Sequence, residues 1–101
     1  MMTMAYRLSP EADNDIEDIF DYTEFEYGLQ KAIEYTTQFH TVFIELSQSL
    51  ELGRTRDEIK IGLRSRIKNK HVIFYRILKD HIRIVRVLHS RSDIPNFLDK
   101  A

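Results

Sequence analysis

The spacing of hydrophobic residues changes near the middle of this chain, from a helical period in its first half to a strand period in its second. Between residues 12 and 50 apolar positions recur every three or four residues, with one interruption at Gly28. From residue 63 onward, short runs rich in β-branched and aromatic residues follow one another. These periods predict two amphipathic helices joined at Gly28, followed by three strands.

The boundaries of these elements carry their own signals. A short apolar run at residues 4–8 predicts a first strand ahead of the helices. Ser9 suits the N-cap of the first helix, because its hydroxyl accepts a hydrogen bond from a free backbone amide. Gly53 is expected to end the second helix as a left-handed cap. Turns at residues 69–70 and 79–81 should join the three later strands.

The resulting order, β-α-α-β-β-β, groups the helices together and most strands together, which is typical of an α+β fold. We expect a helical hairpin packed on one face of a small antiparallel sheet. Because 101 residues support one hydrophobic core, residues 1–101 should form a single domain.

Strand alternation assigns each side chain to one face of the sheet. The residues expected to face the helices are Ile73, Tyr75, Ile77, Val85 and Val87. The other face would expose large apolar groups beside arginines, a combination that marks a protein-binding surface. Its expected members are Val72, Phe74, Arg76, Ile84, Arg86 and Leu88. Two alternatives stay open, namely that the C-terminal tail covers this face or that the two faces are reversed.

The net charge of −1 hides a strong separation of charge along the chain. Residues 1–53 contain two basic and eleven acidic residues, whereas residues 54–101 contain thirteen basic and five acidic ones. Such a separation suggests a charged partner surface, although the two halves could also attract each other within the fold. The acidic first helix would repel a polyanion, so the sequence disfavours direct nucleic-acid binding by the chain alone.

The composition offers little material for catalysis or for metal binding. The absence of cysteine excludes disulfides and thiolate metal sites, and the four histidines lack the spacing of paired ligands. No glycine-rich phosphate loop or nucleophile elbow occurs, so we expect no catalytic residue, metal or cofactor. No run approaches the ~18 apolar residues of a membrane span, and residues 1–6 do not resemble a signal peptide. We therefore expect a cytoplasmic protein without a membrane partner.

Four stretches of the sequence resemble the RelE/ParE toxin superfamily, and specifically its ParE branch. They are residues 8–12 with Asp15, Ile16, Ile19 and Tyr22; residues 51–54; residues 62–65; and residues 71–76 followed by 84–89 and Arg91. The resemblance implies the toxin of a type II toxin–antitoxin pair, neutralised by a ParD-like antitoxin and acting on DNA gyrase. It also implies that the toxin contacts DNA only indirectly, through the antitoxin.

Within this resemblance, Arg64, His89 and Arg91 are the candidates for contact with the target. The RelE branch, whose members cut mRNA on the ribosome, is the main alternative. Val72 stands where that branch has a catalytic arginine, and neither valine nor the late Phe97 can move a proton. A non-catalytic toxin is therefore expected. The third alternative is a toxin that has lost its activity and serves only to bind an antitoxin.

Overall fold

The computed structural model of the protein describes residues 5–98 and contains a helical hairpin, one sheet and a short last helix. The elements are β1 (Ala5–Leu8), α1 (Pro10–Tyr27), α2 (Leu29–Gln48), β2 (Arg54–Thr55), β3 (Arg64–Lys68), β4 (His71–Ile77), β5 (His81–His89) and α3 (Ile94–Leu98). The predicted order is confirmed, with β2 and α3 as additions. Met4, which the sequence placed in the first strand, lies outside the described residues.

The start of α1 ties the helical layer to the sheet. The Ser9 hydroxyl accepts a hydrogen bond from the Ala12 amide at 2.9 Å, which confirms it as the N-cap. The same hydroxyl donates to the Val85 carbonyl at 2.7 Å, and the Ser9 amide donates to the Ile84 carbonyl at 2.9 Å. One buried serine therefore caps a helix and fixes that helix against β5.

Two glycines behave differently from each other at the helix boundaries. Gly28 separates α1 from α2 with a φ of 92°, a conformation that favours glycine. The prediction for Gly53 is wrong, because α2 already ends at Gln48 and Gly53 does not have a positive φ. Gly53 instead leaves room for Tyr75, whose ring and hydroxyl would overlap an added Cβ. The Gly53 amide donates to that hydroxyl at 3.0 Å.

The sheet has the strand order β1-β5-β4-β3-β2. β1 runs parallel to β5, and the other neighbours are antiparallel, so the sheet is mixed. β1 pairs with β5 only as far as Ile84, which leaves the edge of β5 beyond that residue without a strand partner.

Each face of the sheet carries a buried apolar core, and a different layer covers each of them. The core between the helices and the sheet consists of Ala12, Ile16, Phe39, Val42, Phe43, Leu46, Ile73, Tyr75, Ile82, Ile84 and Val87. We call the opposite side of the sheet the far face. Its core consists of Leu63, Val72, Phe74, Val85, Leu88 and Leu98, with Ile59 and Ile94 packed against it.

A β-bulge in β5 changes the predicted assignment of its side chains. Phe74 pairs with Arg86 while the next residue, Tyr75, pairs with Ile84, so Val85 is the extra residue in β5. The bulge shifts the alternation by one position. Ile84 therefore packs with the helices and Val85 belongs to the far face, the reverse of what regular alternation predicts.

Candidate functional site

The apolar surface predicted on the far face is not open in the structure. Val72, Phe74 and Leu88 are at most 7% exposed, and the side chains of α3 and the loop before β3 pack over them. Ile84 is fully buried on the other face. The prediction of an exposed docking surface there is wrong, because the chain's own Leu98 already removes these groups from water.

Arg86, predicted to contact an antitoxin, pairs with a carboxylate of its own chain. Its Nε and Nη2 donate to the two oxygens of Asp15, each at 2.8 Å, and the Val87 amide donates to the same carboxylate at 2.9 Å. The two side chains are 15% and 10% exposed. Hydrogen bonding to Asp15 raises the pKa of Arg86 further above its ordinary value. The bidentate geometry makes this a strong, directional contact.

The position of Arg86 lets it connect three elements. It stands opposite Phe74 on the far face, yet it reaches Asp15 of α1 beside the edge of β5 that β1 leaves unpaired. Its guanidinium also lies 5.3 Å from the ring centre of Phe97 in α3, within cation–π range. Arg86 therefore links the helical layer to the helix that covers the far face.

The remaining predicted site residues do not form one cluster. Arg76 lies on the far face and donates to the Ile61 carbonyl at 2.9 Å. Arg64 donates to the Gly53 carbonyl at 2.7 Å and so holds the loop after α2. His89 lies at the end of β5, where its Nδ1 accepts from the amide of the exposed Arg91 at 3.1 Å.

A groove lies on the side of the sheet that carries the helices. Its volume is about 630 Å³, and it lies between α1, the start of α2 and the ends of β4 and β5. The lining residues are Asp15, Asp18, Ile19, Tyr22, Thr23, Tyr27, Lys31, Tyr35, Lys70, His71, Val87, Leu88 and His89. Of the residues predicted to bind a partner, Leu88 and His89 line it.

The two ends of the groove differ in charge. Asp15 and Asp18 lie at one end of the α1 segment that forms its wall, and Tyr27 lies at the other, about 18 Å along the helix axis. At that second end Lys70 supplies a positive charge, and Lys31 is ion-paired with Glu34 at 3.6 Å. The groove therefore pairs an apolar wall with an acidic and a basic end.

An aromatic and imidazole cluster lies at the basic end of the groove. The Tyr35 hydroxyl and His71 Nδ1 are 2.7 Å apart, and the rings of His71 and His89 meet edge to face at 5.4 Å. Burial, with a smaller effect of His89, lowers the pKa of His71 to about 4, while burial raises the pKa of Tyr35. At neutral pH His71 is therefore uncharged, and a hydrogen bond joins its Nδ1 to the Tyr35 hydroxyl. Residues 5–98 contain no group of three or more acidic or histidine side chains that could hold a metal ion.

Sequence comparison assigns this fold to a known class. Residues 6–94 match the model of the family described as the ParE toxin of the type II toxin–antitoxin system parDE. The chain is 34% identical over 94 residues to toxin ParE1 of Mycobacterium tuberculosis, covering 92% of this chain and 96% of that one. It is 31% identical over 85 residues to toxin ParE1 of Caulobacter vibrioides, covering 84% and 88%.

The fold and these matches define a toxin of a type II toxin–antitoxin system. The chain belongs to the ParE toxin family, within the RelE/ParE superfamily.

Solved structures show the same architecture. A chain from the chromosomal ParDE toxin–antitoxin system of P. aeruginosa superposes with a TM-score of 0.75 at 20% identity, over 86% of this chain and 96% of that one. A chain of the RelBE2 toxin–antitoxin complex of Mycobacterium tuberculosis gives 0.52 at 22% identity, over 88% and 93%. At these identities the likeness establishes the fold alone. In the described part of the chain, no helix is both long and apolar enough to cross a membrane.

The contact between Asp15 and Arg86 leads to a stability prediction. Asp15→Asn and Arg86→Gln should each lower the free energy of unfolding by about 3 kcal/mol, because each change leaves a largely buried charge without its partner. The double variant should lower the free energy of unfolding by much less than the sum of the two single losses. Urea denaturation measures all three. Glu58→Gln, which removes an exposed partner of Arg56, is the control and should leave the unfolding midpoint unchanged. A midpoint for Asp15→Asn equal to that of the wild type would contradict the role of the pair.

His71 should make the stability of the protein depend on pH. Its pKa in the folded state is about 4 against an ordinary value of 6.5, so below pH 6.5 the unfolded chain binds the proton first. Stability from this group is complete above pH 6.5 and is lost as the pH falls towards 4. Between pH 7 and pH 5, His71→Gln should lose less stability than the wild type, by about 1 kcal/mol after allowance for solvent screening.

Urea denaturation at both pH values measures this difference between the variant and the wild type. The assignment fails if His71→Gln loses as much stability as the wild type.

Proposed function

We propose that the protein is neutralised by a ParD-like antitoxin, a segment of which occupies the groove between the helical hairpin and the sheet. The observation that carries the proposal is the exposure of large aromatic groups in its wall, with Tyr22 64% and Tyr27 69% exposed. Aromatic side chains left open in a concave surface are typical of the anchoring positions of a protein interface.

The charges of the groove define the segment that fits it. An amphipathic helix would place its apolar face on Ile19 and Tyr22, as in other helix-in-groove complexes. It would need acidic side chains near Lys31 and Lys70 and a basic side chain near Asp18. The orientation of the segment follows from this arrangement, because the reversed helix would place like charges together at both ends.

A charge placed in the groove wall should weaken the complex. Tyr22→Glu should lower the affinity for the ParD-like antitoxin at least tenfold, equivalent to about 1.4 kcal/mol, since it replaces an aromatic anchor. Phe25→Glu is the matched control, because Phe25 is 87% exposed on the same helix but does not line the groove. Isothermal titration calorimetry with the purified antitoxin gives both values. Equal losses for the two variants, or none for Tyr22→Glu, would place the antitoxin elsewhere.

We propose that DNA gyrase is the target and that the toxin acts by binding rather than by catalysis, in the cytoplasm. Family membership supports DNA gyrase as the target. Val72 stands where the RelE branch has a catalytic arginine. Because this valine is only 7% exposed and cannot transfer a proton, it supports action by binding rather than by catalysis. Arg64, His89 and Arg91 remain the candidates for target contact. Because His89 lines the groove, an antitoxin bound there would cover one of the target-binding residues.

The target is tested by adding the purified toxin to gyrase. We expect loss of supercoiling together with persistent DNA breaks, and we expect both effects to disappear when the antitoxin is added first. Arg91→Glu should weaken inhibition, whereas Phe25→Glu should not. Absence of inhibition and breaks, combined with cleavage of mRNA in a translating extract, would instead support the ribonuclease activity of the RelE branch.

A further inference from the structure

Three arginines form a row across the far face of the sheet. Arg7 in β1 pairs in register with Arg83 in β5, and Arg83 pairs with Arg76 in β4. Their strand neighbours Leu8, Ile84 and Tyr75 belong to or pack on the core beneath the helices, so alternation directs all three arginines to the far face. Adjacent strands lie about 4.8 Å apart, so the three residues follow one another closely. We call Arg7, Arg83 and Arg76 the arginine row.

Among residues 5–98, no acidic side chain forms an ion pair with the arginine row. The lysine and arginine ion pairs found there include Lys31–Glu34, Arg56–Glu58 and Arg86–Asp15. Arg76 bonds a neutral carbonyl of Ile61. A hydrogen bond with His81 at 2.7 Å lowers the pKa of Asp80, and the positive charge of Arg7 adds a smaller effect in the same direction. The row therefore keeps its positive charge.

Like charges that face each other across paired strands oppose folding. Arg83 meets this situation on both sides, with Arg7 and with Arg76. A bound anion would relieve the repulsion between all three groups.

The position of the row answers the objection that the acidic helices would repel a polyanion. α1 and α2 pack on one face of the sheet, and the row lies on the other. An α-helix is about 10 Å across and the helical layer packs about 10 Å from the sheet, so the solvent-exposed carboxylates of α1 lie further from the far face than the Debye length of about 8 Å at physiological ionic strength. An anion on the far face is therefore largely screened from the carboxylates of α1.

The surroundings of the row favour a polyanion over a peptide. A peptide needs apolar anchors, and the apolar groups of the far-face core are already buried. Ile61, beside Arg76, is 85% exposed, and Ile67, paired with Val72 towards the other end of β4, is 71% exposed, but exposed apolar residues scattered singly are common on protein surfaces. What this face offers a partner is mainly charge, and guanidinium groups bind phosphate well.

We propose that the arginine row binds the phosphate backbone of duplex DNA directly, without reading its sequence. This inference goes beyond the proposed function, since it requires neither gyrase nor the antitoxin, and it replaces the expectation that DNA contact is only indirect. Contacts of this kind depend strongly on salt, because each neutralised phosphate releases counterions.

Fluorescence anisotropy measures binding of the whole chain to a labelled duplex of about 30 base pairs. The NaCl concentration is varied from about 50 to about 200 mM, because phosphate contacts lose most of their affinity over this range. Arg7→Gln/Arg83→Gln should bind at least tenfold more weakly at the lowest salt concentration. Its slope of log K against log[salt] should be shallower by about 2, one per lost phosphate contact. Arg66→Gln/Lys68→Gln is the control, because it removes the same charge from β3 at positions paired with Ile73 and His71, on the face that carries the helices.

The thermal midpoint separates lost binding from lost folding. Because Arg7→Gln/Arg83→Gln removes repulsion, its midpoint should equal or exceed that of the wild type. Equal DNA affinity for this variant and the wild type overturns the proposal, as does an equal loss in the control. Tighter binding of a polyglutamate peptide than of the duplex assigns the row to an acidic protein and also overturns it. Because the measurement contains no gyrase, a failure of the gyrase proposal leaves its result unaffected.

Discussion

The bidentate contact between Arg86 and Asp15 is the interaction on which the arrangement of this molecule depends. Asp15 also accepts the Val87 amide, so one carboxylate of α1 occupies the edge of β5 where β1 has ended. On the other side, the guanidinium lies against Phe97 of α3. The same pair therefore sets one end of the groove and helps to hold the helix that closes the far face. The sequence suggests that Arg86 is available to bind a partner, but in the fold its guanidinium is bonded to Asp15.

Much of the fold was predictable because its signals are local. The N-cap at Ser9, the break at Gly28 and the change of hydrophobic period each depend on neighbouring residues, and each is confirmed. The face assignment in β5 failed for a different reason. Val85 is an extra residue opposite β4, and a bulge depends on the pairing of two strands rather than on the sequence of one. Gly53 was misread similarly, since its neighbour Tyr75 is distant in sequence.

The candidate site was harder to predict than the fold. The groove brings together Asp15, Tyr27, Lys31 and His71 from three elements, and no spacing in the sequence connects them. The separation of charge between the two halves of the chain was visible, but only the structure shows that the sheet lies between the acidic helices and the arginine row. Charge attraction within the fold, as between Arg86 and Asp15, and charge offered to a partner both follow from this separation.

The central claim is that the chain itself covers the apolar core of the far face, so that an antitoxin engages the groove. Hydrogen–deuterium exchange of the toxin, free and bound to the proposed ParD-like antitoxin, tests this claim directly. We expect slower exchange in residues 18–31 of the complex and unchanged exchange in residues 94–98. Faster exchange in residues 94–98, together with protection confined to β4 and β5, would show that the antitoxin displaces α3 and binds the far face, and would contradict the account.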